Sequence, residues 1–202
     1  MKIGIIGTGN IGSNLARLFV AAGHEVVLSW SRSPEKLVRL SIELGNHKRA
    51  KAASVLEATQ DVDISILSIR FMIMDEIKKQ MGDVTGKIIV DTNNPYDIKL
   101  PTGVSAAAEV CRRLKGIRIV KAFNSLRHTS LLTCSHTDPL TISPLCSDDD
   151  NAKELVKTVI TSIGYDPFDL GGLENVFLQE PGGPFYNIEL SRQRAEKLKQ
   201  ND

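Results

Sequence analysis

Residues 2–32 read KIGIIGTGNIGSNLARLFVAAGHEVVLSWSR, and the order of their parts decides the fold. An apolar run, KIGII (2–6), leads into a glycine-rich turn. A helix-like run follows, NIGSNLARLFVAAG (10–23), with Leu15, Leu18, Phe19 and Ala22 on one face and Gly23 as the stop. A second apolar run, EVVLSW (25–30), completes a strand–helix–strand unit. Gly7, Gly9 and Gly12 stand in G-x-G-x-x-G spacing between the strand and the helix, the context in which that pattern binds a dinucleotide. Gly7 permits the tight turn, Gly9 lets the backbone approach a pyrophosphate, and Gly12 lets the helix pack close to the strand. Thr8, Asn10 and Ile11 share the turn, where free N–H groups and the helix dipole suit phosphate. The plainer alternative is a tight turn without a ligand.

The second strand sharpens the reading. NAD-binding versions carry an Asp or Glu about 20 residues after the glycines, for the ribose 2′-hydroxyl. Here that region holds Ser29, Trp30, Ser31 and Arg32, with Lys36 one helical turn on, and no carboxylate lies between positions 27 and 34. Hydroxyls and a guanidinium fork suit a 2′-phosphate, which a carboxylate would repel. The cofactor expected is therefore NADP(H). The competing possibility is a solvated loop in which Arg32 pairs with Glu35.

Working outward, five further strand candidates follow: DISILSI (63–69), KIIVD (87–91), IRIVKA (117–122), LTISPL (140–145) and YDPFDL (165–170), with a short one near 49–53. Most are apolar on both faces, as strands of a covered parallel sheet are. Helix-like runs separate them. SPEKLVRLSIELG (33–45) has Ser33 as cap, Pro34 at the first position and Gly45 at the stop; DDDNAKELVKTVITSIG (148–164) opens on acids and stops at Gly164. The expected fold is α/β, a doubly wound, mostly parallel Rossmann sheet with a small C-terminal extension. Residues 1–170 form the NADP-binding domain. Residues 171–202 form an arm or helix that packs on that domain or on a partner subunit, or else a plain tail; Phe177, Phe185, Tyr186 and Ile188 argue for packing.

Composition excludes more than it identifies. The chain has 202 residues, 42% of them hydrophobic, so a full core can form. Lys+Arg 25 against Asp+Glu 24 gives a net charge of +1, with no global pull toward nucleic acid or an anionic membrane. Cys111, Cys134 and Cys146 are odd in number and match no zinc spacing, which suits reduced thiols. No leader-like or membrane-spanning run is evident, so a soluble, cytoplasmic protein is expected.

Catalytic groups are sparse. YDIK (96–99) sets tyrosine and lysine three apart, not four. His24 and His47 are expected at the surface, whereas His128 and His136 lie nearer the ligand edge, as loop residues or, for His128, as an acid. Ligands bind beyond the C-terminal strand ends of such sheets. Those ends carry Ser68, Ile69 and Arg70, then Asn93 and Asn94, then Asn124, with Phe71 and Phe123 as apolar faces. Each asparagine could equally cap a turn. Arg70 could bind an acidic acceptor or neutralise Asp75.

These segments, with VKAFN (120–124), PLCSDDDNAKELVKTVITSIGYDPFDLGGLEN (144–175) and EPGGPFYN (180–187), resemble the F420-dependent NADP oxidoreductase family. They are also similar to the cytosolic oxidoreductase domain of the STEAP metalloreductases. The resemblance implies hydride transfer between NADP(H) and a deazaflavin such as F420; FMN, FAD or another acceptor stays open, because the glycine-rich C-terminal segment follows the family's shorter bacterial variety. It implies a 2′-phosphate site at Ser31, Arg32 and Lys36, a nicotinamide-side backbone around Ile69, Asn94 and Ala122, and a homodimer with a small-molecule redox partner. Arg70 stands where many relatives have proline. Two other readings stay open: a non-catalytic NADP sensor, and a reductase of a small carbonyl or imine.

Overall fold

The computed structural model describes residues 1–45 and 49–200. His47 lies outside them. The described residues build one eight-stranded sheet: β1 (Lys2–Ile6), β2 (Glu25–Ser29), β3 (Ala50–Ala52), β4 (Ile64–Leu67), β5 (Ile88–Asp91), β6 (Arg118–Ala122), β7 (Ile142–Cys146) and β8 (Asp166–Asp169). Their spatial order is β3-β2-β1-β4-β5-β6-β7-β8. The chain steps outward from β1 to β3, then returns to place β4 on the other side of β1. That reversal opens a crevice at the C-terminal ends of β1 and β4. β7 runs antiparallel to β6 through Lys121–Cys146 and Ala122–Leu145, and β8 follows β7 in parallel.

The helices are α1 (Asn10–Ala21), α2 (Pro34–Glu43), α3 (Glu57–Gln60), α4 (Met74–Met81), α5 (Ala106–Arg113), α6 (Ser130–Thr133), α7 (Asp150–Ser162) and α8 (Arg192–Lys199). Side chains alternate across each strand, so the sheet has two apolar faces. Ile3 and Ile5 meet Leu15 and Phe19 of α1 and Val156, Val159 and Ile160 of α7. Ile6, Leu67 and Ile89 meet Met74, Ile77 and Met81 of α4 and Val110 of α5.

Three expectations change here. His24 is buried, not superficial: its ring packs edge-on against Phe19, and Nε2 lies 2.8 Å from the Ser162 hydroxyl of α7. His136 is exposed, but its ring rests on Gly164 and does not line the crevice. Ser33 starts α2 without capping it, because its hydroxyl donates to Glu35 (2.8 Å).

Residues 171–200 lie on the sheet. Phe185 is buried against Phe168, with ring centres 5.4 Å apart, a burial that contributes on the order of 1.5–3 kcal/mol. Thr141 pairs with Ser191, Arg192 pairs with Asp166, and Ala195 of α8 is buried. Phe177 and Ile188, by contrast, stay largely exposed.

Candidate dinucleotide and acceptor crevice

At the end of β1 the chain turns sharply. Gly7 has φ +103°, and a Cβ there would sit 2.1 Å from the Ser68 carbonyl oxygen. Its N–H donates to Ser29 O (3.0 Å), and that of Thr8 to Trp30 O (3.2 Å), tying the turn to the end of β2. Trp30 itself is left-handed (φ 51°), which swings Ser31 and Arg32 into the crevice. At Gly12 a Cβ would meet Gly7 O at 2.0 Å, so only glycine lets α1 start this close to β1. Nothing stands within 4 Å of a Cβ at Gly9. The first turn of α1 holds no acid and its N-cap offers no side-chain acceptor, so its N–H groups face open space.

A crevice of about 1200 Å³ runs from here across the sheet. Thr8, Gly9, Asn10 and Ile11 line one stretch; Ser31, Arg32 and Lys36 line the end beyond β2. Ser68, Ile69 and Arg70 follow from β4, Asn93 and Asn94 from β5, and Asn124 from β6. Gly7, Gly12 and Ala122 do not line it; they stand behind the wall, Ala122 fully buried in β6. Phe123 (φ 59°) lines it, but Phe71 does not: it is fully buried, with the Arg113 guanidinium 5.8 Å from its ring centre.

The electrostatics are one-sided. Arg32, Lys36, Arg70 and Arg127 line the crevice, and among the described residues none has a side-chain ion pair or hydrogen bond. The two proposed neutralising pairs are absent. Glu35 accepts from Ser33, and Asp75 lies 3.7 Å from Arg113. Asp97, an acid in the wall, is engaged by the N–H groups of Phe71 (3.3 Å) and Met72 (3.0 Å).

The asparagines are fixed by main-chain partners. Asn93 Oδ1 accepts from Ile69 N–H (3.0 Å), and Asn124 Nδ2 donates to Gln179 O (2.8 Å) and Asn94 Oδ1 (3.1 Å). Those partners determine which atoms remain: Asn93 Nδ2, Asn124 Oδ1 and Gln179 Oε1 are buried and unpaired. Such atoms cost ~1–3 kcal/mol each until satisfied.

Several residues here escaped the sequence reading. Tyr96, considered only for its spacing to Lys99, lines the crevice, and its hydroxyl meets that of Tyr186 from the C-terminal segment. Behind them Lys121, fully buried, pairs with Asp91 at 2.9 Å and with Glu180 at 3.3 Å. A lysine inside one apolar strand and an aspartate closing its neighbour were the available signal. His128 is exposed in the wall, with its carbonyl accepting from Asn14 of α1 (2.7 Å). All three cysteines are free, and burial pushes the Cys146 thiol up to about 12, which makes it a packing residue. Among the described residues no three His, Cys, Asp or Glu side chains converge on a metal site, and no helix is long and apolar enough to cross a membrane.

The chain is similar to known proteins. The model of the family described as "NADP oxidoreductase coenzyme F420-dependent" matches residues 2–95. An F420-dependent NADP reductase of Methanothermobacter thermautotrophicus is 30% identical over 204 residues, covering 89% of this chain and 85% of that one. The metalloreductase STEAP3 of Rattus norvegicus is 26% identical over 173 residues; 85% of this chain aligns, and it spans only 34% of that protein's length. Among solved structures, a hypothetical protein, SMa0349, from Sinorhizobium meliloti superimposes with a TM-score of 0.84 at 29% identity, covering 95% of this chain and 96% of that one. With the glycine turn, the acid-free second strand and a relative matched along most of both lengths, the chain belongs to the F420-dependent NADP oxidoreductase family.

Proposed function

We propose that this protein transfers a hydride between NADP(H) and a flavin or deazaflavin acceptor of the F420 type. The observation that carries the reading is the crevice itself. Its volume of about 1200 Å³ exceeds the ~300–1,000 Å³ usual for one small ligand, and it has two chemically different ends. At one end Ser31, Arg32 and Lys36 would hold the 2′-phosphate, and the N–H groups of α1 the pyrophosphate. Near the middle, Asn93 and Asn124 supply an unpaired donor and acceptor, which a primary carboxamide such as that of nicotinamide can satisfy. At the other end Phe123, Tyr96 and Tyr186 offer flat apolar faces, and Arg70 and Arg127 suit an acceptor with an acidic side chain.

NADPH supplies the hydride when bound, and two redox cofactors exchange it without a protein acid–base group. The chain's own task is to bind both, align the rings at ~3–3.5 Å and exclude water. In this reading the protein works as a soluble, cytoplasmic homodimer. The test is anaerobic oxidation of NADPH in the presence of F420, FMN or FAD in turn. Turnover with at least one of them is expected. Tight NADP(H) binding with no acceptor reduced would favour a sensor, and reduction confined to carbonyls or imines would favour the exposed His128 as an acid.

A further inference from the structure

Lys121 sits in the middle of the sheet with no solvent exposure. An ammonium group has three N–H donors and tolerates burial only when they are matched. Two hydrogen bonds and the charge of a second carboxylate meet that need. Asp91, its register neighbour on β5, lies at 2.9 Å; the Asn93 carbonyl accepts a second N–H; Glu180 of the C-terminal segment lies at 3.3 Å. Asp91 also accepts from Asn93 N–H (3.0 Å), and Glu180 from the N–H groups of Ala106 (3.0 Å) and Ala107 (3.2 Å) at the start of α5. The second carboxylate is thereby balanced by a helix N-terminus.

The contacts run onward into the crevice. Gln179, beside Glu180, accepts from Asn124 through its carbonyl. Further along the same segment, Tyr186 meets Tyr96 and Asn187 N–H donates to Ser125 O (2.7 Å).

We infer that Lys121 is a positioning residue for the acceptor side of the crevice, fastening residues 173–187 to the ends of β5 and β6 through Glu180. This rests on the reading that the Tyr96–Tyr186 wall is where the acceptor lies. Without the ammonium, two buried carboxylates confront each other and the segment is driven outward. A glutamine at 180 brings an NH₂ group against the Ala106 N–H in one orientation, or against the Ala107 N–H and the ammonium in the other, so it loosens the same fastening with little change of shape.

The experiment uses full-length Glu180→Gln, with Lys121→Met and Lys121→Arg beside it should they fold. Amide hydrogen exchange in residues 173–190 should accelerate at least tenfold in Glu180→Gln. Its NADP⁺ affinity by calorimetry should fall by no more than about threefold, since among the cofactor contacts proposed above only Asn124 leans on this segment, through Gln179 O, while KM for F420 or FMN rises at least tenfold and kcat changes less. Lys121→Arg should recover part of what Lys121→Met loses. Wild-type exchange in Glu180→Gln overturns the inference. So does a freed segment with an unchanged acceptor KM, or an equal loss of NADP⁺ and acceptor binding. If the wild type reduces neither acceptor, the proposed activity fails. Exchange and FMN binding, read by quenching of its fluorescence, then decide the inference by the same criteria.

Discussion

Helices α1 and α7 flank the same face of the sheet and begin in opposite ways. The N-terminus of α7 is filled by the chain itself: the Asp149 carboxylate accepts from Ala152 N–H at 2.9 Å, and Asp150 lies in the first turn. The N-terminus of α5 is likewise occupied, by Ser105 and by the Glu180 carboxylate. At α1 the N-cap is a glycine, no acid stands in the first turn, and the space where a side chain would project is empty. A helix start leaves donors that need acceptors. Two helices satisfy them internally; the third leaves them facing a crevice lined by unpaired cations. The difference teaches that the N–H groups at α1 stay open to an anion from outside, whereas those at α7 and α5 contribute to holding the fold.

The comparison breaks most sharply at Gly9. Its φ of −72° suits any residue, and a Cβ there meets nothing. Gly9→Asp should therefore fold, and as a good N-cap should raise stability by a few tenths of a kcal/mol. It would also put a carboxylate at the proposed pyrophosphate site. Calorimetry should show NADP⁺ affinity falling by more than roughly a hundredfold, as expected for losing two or more charge-assisted bonds of ~1.5–3 kcal/mol each. Affinity within tenfold of wild type would mean that α1 is not the anion seat.

Arg32→Ala asks how far the open surface extends. One charge-assisted bond to a 2′-phosphate is worth ~1.5–3 kcal/mol, so KM for NADPH should rise roughly 10- to 150-fold while KM for NADH barely moves. Equal rises for the two cofactors would remove the 2′-phosphate assignment.

The open end of the crevice was also the legible one. The glycines, Ser31, Arg32 and Lys36 lie within 30 residues of one another, and their chemistry depends on the local backbone, so spacing alone exposes it. The other end is assembled from distant parts. Lys121 and Glu180 are 59 positions apart, Tyr96 and Tyr186 are 90 apart, and neither pairing follows any period a strand or helix imposes. His24 shows the same limit. A histidine between helix and strand suits the surface, until α7, 138 residues later, brings Ser162 over it. Phe71 follows a strand end as Phe123 does, yet a short 3-10 turn at Phe71–Ile73 carries it inward, while a left-handed backbone holds Phe123 in the wall.

The smallest effect is expected at α7. Asp149→Ala removes a cap and a two-pronged pair with Arg118 (2.6 and 2.9 Å). The cap should account for about 1–2 kcal/mol and the partly exposed pair for less than about 1 kcal/mol, a loss of several degrees in Tm. NADP⁺ affinity should not change, since these donors serve no ligand. The Arg118 guanidinium, then the Ala152 N–H, hold the Asp149 carboxyl down at about 2. A depressed folded-state value stabilises above the unfolded value near ~3.9, and that stability disappears as pH falls through the folded value. The gap between wild type and Asp149→Ala should thus be steady from neutral pH to about 5, then shrink between about 4 and 2. Asp149→Asn keeps a capping oxygen without the charge, so its stability relative to Asp149→Ala should show no such step. A gap that persists unchanged to pH 2, or a weaker hold on NADP⁺ in Asp149→Ala, would show that the two helix starts are not divided between fold and ligand as their geometry indicates.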